Sequence, residues 1–579
     1  MKYFLLLLSL SLASILPAQS WVDTAVQKEI EGPLNKNQVT SAKLMVRVGK
    51  MMIVNNEEKN PAPAPSAADT KTGFILFNRS FMLPVYWNTN PLQSELNPSS
   101  FDYFSAPGHS GNAVIGVWPL ETGDLQVTIP DLSDGQGNVF KSGNIEVRFV
   151  QHLLKQVQYQ IVKINPEMIV RANPVKLYQG VTRQVWLMIT VPEGSVAGKY
   201  SGDIILTLGT KEKRSVKLNV EVLPIKLLTD TEKSFGWYCS PTDEMALNDY
   251  KKHGYNSVSS GFECPIKAVS AGIAELDYSK MDKTISVLKK VGLDKYRHIG
   301  NAINLFVELN QLGLQDFTPE YNAAYKSALQ QMRDHAAKQG VRLCFWLVDE
   351  PRETMLNTWN RNLADTLKLA KLGKEAGVET YQDVMTDEQF TPEQRTSIIS
   401  AFDIMSPHGV KKYCPLIIEE TKKLKKQLWF YNTSIDRFGF STWKHNAVGR
   451  TEWAYNCGLN ELTAKNIDTW SSTRMGDPAC SIIYPAKNEV IPSPSFERSS
   501  QGIIDYRYVY TLEQAIKALR ETGSAEGKKA ANSAQAKLDI IKEAAPAYAD
   551  TPVPDPTIQD SWRRTVAEEI VKLQAIAGK

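Results

Sequence analysis

Two adjacent acids, Asp349 and Glu350, follow directly after an apolar run that ends at Val348. A pair of carboxyl groups suits acid–base chemistry, because one can keep a proton for a leaving oxygen while the other stays ionised to stabilise developing positive charge. Like charges held close together push their pKa values apart and create this division. Pro351 favours an extended backbone at Glu350, which predicts that both side chains turn toward one site. The tripeptide alone would favour an exposed acidic turn, so the prediction depends on the surrounding elements.

Aromatic residues are the second chemical feature, since the chain has 12 tryptophans and 22 tyrosines. Sugar rings stack their C–H faces on aromatic rings, while tyrosine and tryptophan keep a polar group for hydroxyls. Ordinary core packing is the alternative, which we expect for about half of those at strand ends. Those at or near predicted strand ends are Trp237, Tyr238, Trp346, Tyr381, Trp429, Tyr431, Trp453 and Tyr455. The predicted substrate contacts are Trp237, Trp346, Tyr381, Tyr431, Trp453 and Tyr455, with Asn432 as a hydrogen-bonding residue beside Tyr431.

The elements that would position these residues begin after Pro224, where helical patterns alternate with short apolar runs. In one clear unit, Thr318 is the predicted N-cap, Pro319 takes the first helical turn, and Gly340 ends the helix before the strand that precedes the acids. Eight strands alternating with helices predict a (β/α)8 barrel, whose reactive residues project from the C-terminal strand ends. A doubly wound open sheet is the alternative architecture. The predicted strands are 235–238, 256–259, 297–300, 343–348, 379–384, 402–405, 427–431 and 450–455.

The remaining chain predicts two further domains. In 215–223, Val216, Leu218, Val220 and Val222 alternate with polar residues, which is the pattern of a strand with one buried face. Short strands with regular turn signals predict an antiparallel β-sandwich. From Ile504 onward the pattern is helical, with 506–520 as the last barrel helix. The predicted organisation is a signal peptide over 1–20, a β-sandwich over 21–226, the catalytic barrel over 227–522 and a helical tail over 523–579.

The N-terminus predicts export. Lys2 precedes an apolar run over 4–16, and Ala18-Gln19-Ser20 resembles a cleavage site, so the mature chain should start near Trp21. An uncut membrane anchor is the alternative. No other run approaches the ~20 apolar residues of a membrane span, so none is expected after cleavage. We expect a secreted or periplasmic protein, or one associated with the cell surface.

Charge and cysteine content exclude several classes of protein. Loss of Lys2 with the signal lowers the net charge from +3 to +2, and the basic residues are spread out, so no nucleic-acid partner is expected. The cysteines form no CxxC pair, so neither a zinc nor a redox motif is predicted. Export permits disulfides, although the spacing does not define a pairing. The six cysteines are Cys239, Cys264, Cys344, Cys414, Cys457 and Cys480.

Three stretches within roughly 180–520 resemble glycoside hydrolase family 123 and its wider relatives. The first runs from Val185-Trp186-Leu187 through Val191-Pro192 to Gly198-Lys199-Tyr200-Ser201-Gly202. The second is Trp346-Leu347-Val348-Asp349-Glu350-Pro351. The third joins Tyr484-Pro485 to Gly502-Ile503-Ile504-Asp505-Tyr506-Arg507-Tyr508.

The resemblance implies an exo-acting, retaining β-N-acetylgalactosaminidase that uses substrate assistance, with a glycan or glycoconjugate as its substrate. Glu350 would then be the general acid/base. Asp349 would orient and stabilise the 2-acetamido group while its carbonyl oxygen attacks the anomeric carbon. An oxazoline-type intermediate would follow, in place of the usual opposed carboxylate nucleophile. The resemblance implies no metal and no organic cofactor.

Other functions remain open at this point. A glycosidase acting on a sugar without an acetamido group would need a separate carboxylate nucleophile, such as Asp383 or Glu452, although each suits a structural salt bridge equally well. A non-catalytic carbohydrate-binding protein would keep the barrel without needing the acidic pair. A polysaccharide lyase or an esterase is less suited, because histidines number only seven and no GxSxG motif is present. The oligomeric state does not follow from the sequence.

Overall fold

The computed structural model describes residues 52–53, 56–158, 161–352, 361–385, 390–409, 413–431, 438–456, 481–545 and 557–577. The predicted signal peptide, Asn432, Cys457 and Cys480 lie outside these residues. Contacts between Cα atoms divide the chain into two compact units. The first comprises Met1–Val222 and Cys457–Pro494, and the second comprises Leu223–Asn456 and Ser495–Lys579. None of the helices in the described part of the chain is long and apolar enough to span a bilayer.

The first unit is a sandwich of two largely antiparallel sheets, as predicted. One sheet has the order β1-β9-β8-β11-β4-β2 and the other β10-β5-β12-β13-β3, with β6 and β7 beside β12. The strands are β1 (Met52–Ile53), β2 (Phe74–Phe77), β3 (Ser100–Ser105), β4 (His109–Pro119), β5 (Gly123–Thr128), β6 (Leu132–Ser133), β7 (Val139–Phe140), β8 (Ile145–Gln158), β9 (Ile161–Val170), β10 (Val175–Leu177), β11 (Arg183–Val191), β12 (Gly198–Leu208) and β13 (Arg214–Val222). Helix α1 (Ala67–Thr72) and two 3-10 turns, Gln93–Glu95 and Ser142–Asn144, complete this part.

The core of this unit forms between the two sheets. In β13 the predicted alternation holds, because Leu218, Val220 and Val222 are buried while Lys217 is exposed. Leu187 of β11 and Ile204 of β12 belong to the same buried cluster as these residues. Burying one face of each sheet against the other is how a sandwich removes its apolar surface from water.

The second unit contains the predicted barrel. Its eight strands are all parallel, in the order β15-β14-β23-β22-β21-β20-β19-β18, so the doubly wound alternative does not hold. All eight predicted strands are confirmed, with ends that differ by up to three residues. They are β14 (Ser234–Trp237), β15 (Ser257–Val258), β18 (Arg297–Asn301), β19 (Arg342–Trp346), β20 (Glu379–Met385), β21 (Ile404–His408), β22 (Gln427–Tyr431) and β23 (Gly449–Glu452). Two short hairpins lie outside this order: β16 (Ile266–Ser270) with β17 (Ile273–Leu276), and, in the first unit, β24 (Ile483–Pro485) with β25 (Val490–Pro492).

A histidine side chain links the two end strands of the barrel, β15 and β18, which lie next to each other. Val258 of β15 donates its backbone N–H to Nδ1 of His298 on β18 at 3.1 Å. Nε2 of His298 lies 3.1 Å from the carbonyl oxygen of Leu293. One acceptor and one donor nitrogen are what a neutral imidazole provides. Burial lowers the pKa of His298 to about 4, which keeps the ring neutral.

The helices pack outside the strands and then form the C-terminal part of the unit. The predicted start of the helix Pro319–Lys338 is confirmed, because Oγ1 of Thr318 accepts the N–H of Tyr321 and Pro319 takes the first turn. The last barrel helix, Pro494–Thr522, starts before the predicted 506. The helices are α2 (Glu244–Lys252), α3 (Ser279–Val291), α4 (Ile303–Gln311), α5 (Pro319–Lys338), α6 (Leu363–Glu375), α7 (Pro392–Ala401), α8 (Cys414–Lys423), α9 (Phe440–Lys444), α10 (Pro494–Thr522), α11 (Ala525–Ala544) and α12 (Ile558–Ala577).

Candidate active site

The acidic pair stands just beyond the C-terminal end of β19. Leu347 and Val348 are fully buried, and the chain then reaches half-buried Asp349 and Glu350. The ends of β20 and β21 bring Asp383 and His408 to the same place, since both contact Glu350. In a (β/α)8 barrel this end of the strands carries the chemistry.

Glu350 has a left-handed backbone, with φ of +41°. The expectation that Pro351 holds it extended is therefore wrong. Its backbone N–H donates to Oδ2 of Asp383 at 3.2 Å. This hydrogen bond outweighs the preference of a residue before proline for an extended backbone. A non-glycine residue with positive φ is uncommon and is enriched at functional sites, where surrounding contacts maintain it.

Two basic side chains contact the Glu350 carboxyl group. Oε1 of Glu350 lies 3.2 Å from Nδ1 of His408, and Oε2 lies 3.6 Å from Nη2 of Arg352. The hydrogen bond with His408 lowers the pKa of Glu350 below its usual range, and the charge of Arg352 contributes in the same direction. In the free protein these contacts favour the ionised form of Glu350.

The pKa of Asp349 is shifted in the opposite direction, upward. Burial, followed by the neighbouring charge of Glu350, raises the pKa of Asp349 to about 6, and His408 opposes this only in part. The two carboxyl groups therefore have the separated proton affinities that the sequence predicts. In the free protein, however, Asp349 rather than Glu350 holds a proton more strongly, which is the reverse of the order that the family resemblance implies for the reaction.

A third acid, Asp383, lies beneath the pair and is fully buried. Nε1–H of Trp346 donates to Oδ1 of Asp383 at 2.8 Å. Burial, and then the charge of Asp349, raise the pKa of Asp383 well above its usual value. Oδ2 of Asp383 is 3.9 Å from Nδ1 of His408. The site thus gathers three acids around one histidine and one arginine.

An aromatic cluster adjoins the acids. The ring of Tyr238 lies 4.8 Å from those of Trp346 and Tyr431 and 6.2 Å from that of Trp453. Its hydroxyl donates to the Tyr381 hydroxyl at 2.9 Å. Trp453 is 39% exposed, so part of its ring is open to a ligand. The structure thus brings four of the predicted contacts, Trp346, Tyr381, Tyr431 and Trp453, into one cluster.

Trp237 and Tyr455 are not brought to the acidic pair, which corrects their assignment as substrate contacts. Trp237 is 1% exposed and stacks at 6.4 Å on Phe438. Tyr455 is 2% exposed and packs edge-on at 5.9 Å against Phe496 of α10. Neighbouring residues of a strand point to opposite sides, so Tyr238 faces the acids while Trp237 faces the helical layer.

Of the two acids considered as separate nucleophiles, Glu452 is in a structural ion pair. Its Oε1 accepts Nε–H of Arg450 at 2.8 Å, and both side chains are buried. Asp383 is at the site, but N–H donors contact both of its oxygens. Among the described residues, no group of three or more His, Cys, Asp or Glu side chains is arranged to hold a metal ion.

Three contacting residues were missed by the sequence reasoning. Tyr238 is among the aromatic residues at predicted strand ends but not among the predicted substrate contacts. The predicted strand 402–405 stops short of His408, whereas β21 continues through Pro407 to His408. Arg352 follows the acidic pair by two residues, and its charge opposite Glu350 was a signal in the sequence. The ring of His408 stacks on that of Tyr431 at 4.1 Å.

Comparison with known proteins shows a match to a family model over part of the chain and a similar fold among solved structures. Residues 110–207 match the model of the glycoside hydrolase 123 N-terminal domain. A family 123 glycoside hydrolase from Clostridium perfringens, studied for the details of glycolipid glycan hydrolysis, aligns with a TM-score of 0.62 at 15% identity, over 88% of this chain and 99% of that one. A family 39 glycoside hydrolase from the gut symbiont Bacteroides cellulosilyticus WH2 aligns with a TM-score of 0.33 at 12% identity, over 66% and 83% of the two chains. No curated protein matches the sequence.

Proposed function

We propose that this chain, a glycoside hydrolase of the family 123 type by its N-terminal domain and its fold, removes terminal β-linked N-acetylgalactosamine from a glycan or glycoconjugate. The observation that carries the proposal is the adjacent pair Asp349 and Glu350 beyond β19, with proton affinities shifted in opposite directions. Groups with separated proton affinities at a barrel mouth are suited to donating one proton while keeping one negative charge.

In the proposed reaction the 2-acetamido oxygen of the substrate attacks the anomeric carbon while the bond to the leaving oxygen breaks. Glu350 gives its proton to that oxygen, and Asp349 stabilises the positive charge that develops on the acetamido group. The Glu350 carboxylate then takes a proton from a water molecule that attacks the same carbon and opens the oxazoline. Two displacements at one carbon give retention of configuration.

The substrate supplies the change in proton affinity that this reaction needs. The Glu350 side chain is 31% exposed in the free protein, and a bound sugar would remove water from it. Loss of water raises the pKa of a carboxyl group, while the developing positive charge of the acetamido group favours an ionised Asp349. Binding therefore favours a protonated Glu350 and an ionised Asp349, which is the state that the proposed reaction needs.

The proposal extends to the class of substrate and to the location of the protein. The exposed part of Trp453 suits the apolar face of a sugar ring. The Clostridium relative acts on glycolipid glycans, and we extend this class of substrate, with glycoprotein glycans, to the present chain. Such glycans lie outside the cytoplasm, in agreement with the export that residues 1–20 predict.

The test compares aryl β-N-acetylgalactosaminide and β-N-acetylglucosaminide with the matching aryl β-galactoside and β-glucoside. We expect cleavage of the acetamido sugars, with the galacto configuration preferred, and almost none of the plain sugars. Calorimetry with the released sugar, beside a reducing-sugar assay, separates an enzyme from a binding protein. Equal cleavage of plain and acetamido sugars would disprove substrate assistance, and binding without any cleavage would disprove enzymatic activity.

A further inference from the structure

Asp383 is the one acid of the site that the proposed reaction does not use. Its side chain is fully buried in β20, and its two oxygens are contacted by three N–H donors. Oδ1 accepts from Nε1 of Trp346 at 2.8 Å and from Nε2 of Gln382 at 3.0 Å. Oδ2 accepts from the backbone N–H of Glu350 at 3.2 Å. A carboxylate bound in this way has a fixed orientation.

The contact with Glu350 matters because of the backbone conformation there. Glu350 has φ of +41°, which a side chain other than glycine adopts only with support, and it precedes Pro351, which disfavours several other conformations. The amide that Asp383 accepts belongs to this strained residue. Its conformation in turn sets where the carboxyl group of Glu350 lies, 3.2 Å from His408 and 3.6 Å from Arg352.

We propose that Asp383 is a positioning residue for the reaction: its carboxyl group joins the indole of Trp346 to the backbone of Glu350 and so fixes the general acid. The inference rests on the proposed function, in which Glu350 transfers the proton. It gives Asp383 a role other than that of a nucleophile. A nucleophile needs an oxygen free to reach the anomeric carbon, whereas this carboxylate is buried and contacted at both oxygens.

The variant Asp383→Asn tests the inference, since it keeps the size of the side chain but replaces one oxygen with an N–H donor. The new side-chain N–H group then faces another N–H donor, either the indole of Trp346 or the backbone amide of Glu350. A displacement of about 1 Å at a reacting group costs about 100-fold in rate, so we expect kcat to fall about 100-fold with little change in KM. The loss should be larger for poor than for activated leaving groups, because the proton donor is displaced.

Asp403→Asn is the matched control. Oδ2 of Asp403 also accepts a backbone N–H, that of Thr380, at 2.9 Å, but the residue is exposed and precedes β21 instead of ending a strand. We expect kcat and KM to stay within about twofold, as is usual for a residue that only supports a fold. A loss in both variants would indicate a structural effect and would overturn the positioning role.

A double-variant cycle identifies the residue through which Asp383 acts. If Asp383 only positions Glu350, Asp383→Asn should cost almost nothing further in a Glu350→Gln background. Additive losses would overturn the inference. So would recovery of Asp383→Ala by azide with formation of a glycosyl azide, which is the behaviour of a missing nucleophile.

If Asp383→Asn fails to fold, Trp346→Phe removes one N–H donor to Asp383 and keeps an aromatic ring at that position. We expect about a tenfold loss of kcat with the same leaving-group dependence. Native activity of this variant would overturn the inference.

Failure of the proposed function gives a different result. If the native protein cleaves only plain glycosides, substrate assistance is wrong, and the same cycle run on those glycosides still decides the role of Asp383. A crystal structure of Asp383→Asn decides it without activity. We expect φ of Glu350 to leave the left-handed region and its carboxyl group to move from His408. An unchanged Glu350 would contradict the inference.

Discussion

The N-terminal and C-terminal ends of the barrel strands differ in the arrangement of their charged side chains. At the N-terminal end, Nε of Arg297, which starts β18, lies 3.1 Å from Oε2 of Glu379, which starts β20, and Nε of Arg342 lies 3.9 Å from the same oxygen. There two arginines contact one acid, Glu379, whose pKa is nonetheless raised, chiefly by burial. At the C-terminal end, Asp349 and Glu350 stand above a third acid, Asp383, and burial raises the pKa values of the first and third.

The difference separates stability from function within one sheet. Opposite charges in contact stabilise a barrel, while like charges and a left-handed glutamate cost stability and are retained only where they serve chemistry. In this fold, residues at the N-terminal strand ends generally serve stability and those at the C-terminal ends serve catalysis. Substitutions at the two ends should therefore change different measured quantities.

The largest effect is expected at the C-terminal end from Glu350→Gln. The amide cannot give a proton to the leaving oxygen, so kcat for a poor leaving group should fall by about 10²–10⁴-fold. An activated aryl glycoside needs little protonation and should lose much less. The free energy of unfolding should fall slightly, since His408 and Arg352 lower the pKa of Glu350 in the folded protein and the neutral amide loses these charge interactions. Equal losses with both leaving groups would show that Glu350 is not the proton donor.

Asp349→Asn should have the next largest effect. The change keeps the size of the side chain but removes the charge that stabilises the cationic acetamido group, at an expected cost of about 10²–10³-fold in kcat. Unlike the loss in Glu350→Gln, this one should be the same for poor and activated leaving groups. Rates measured over a series of aryl leaving groups distinguish the two residues. A nearly silent Asp349→Asn would instead direct attention to a separate nucleophile.

At the other end of the comparison, His298 should affect stability alone. Its pKa is lowered from 6.5 to about 4, so the unfolded chain binds the proton more readily than the folded one. The contribution of His298 is therefore complete above pH 6.5 and is lost as the pH falls toward 4, by about 3 kcal/mol in total. His298→Asn keeps an acceptor for the Val258 N–H but does not titrate. Between pH 7 and pH 4.5 its free energy of unfolding should fall by less than that of the native protein, and an equal fall would contradict the assignment.

The smallest effect is expected from Arg297→Met. The variant leaves Glu379 without its nearest cation, which should lower the free energy of unfolding by about 1–3 kcal/mol, since Glu379 remains partly open to water. Denaturant unfolding measures the loss, and kcat should stay within about twofold of native. A variant with native stability but reduced kcat would contradict the assignment of stability to the N-terminal strand ends and of catalysis to the C-terminal strand ends.

What the sequence reveals about this barrel is mostly local. Glycines close the helices, apolar runs mark the strands, and the acids follow one such run, so the eight strands and the acidic pair could be predicted. The sequence does not allow us to predict which aromatic side chains face the acids. Trp237 ends β14, which is buried on both sides, and Tyr238 follows it directly, so no alternation of polar residues indicates which of the two faces the acids.

The conformation of Glu350 also depends on a distant residue. Local preference before Pro351 favours an extended backbone, but the amide of Glu350 is held by Asp383, which lies 33 residues further along the chain. Its pKa is likewise lowered by His408, which a strand prediction ending at 405 places in a loop. Properties set by such contacts emerge only when the strand ends meet.

The most direct test of the proposed mechanism is the binding of N-acetylgalactosamine-thiazoline, a stable mimic of the oxazoline intermediate. Isothermal calorimetry on the native protein and on Asp349→Asn measures its affinity relative to N-acetylgalactosamine. An enzyme that forms the oxazoline should bind the mimic at least about 10²-fold more tightly than the free sugar, and the preference should largely disappear in Asp349→Asn. Equal affinity of the native protein for the mimic and the sugar would contradict substrate assistance by this pair.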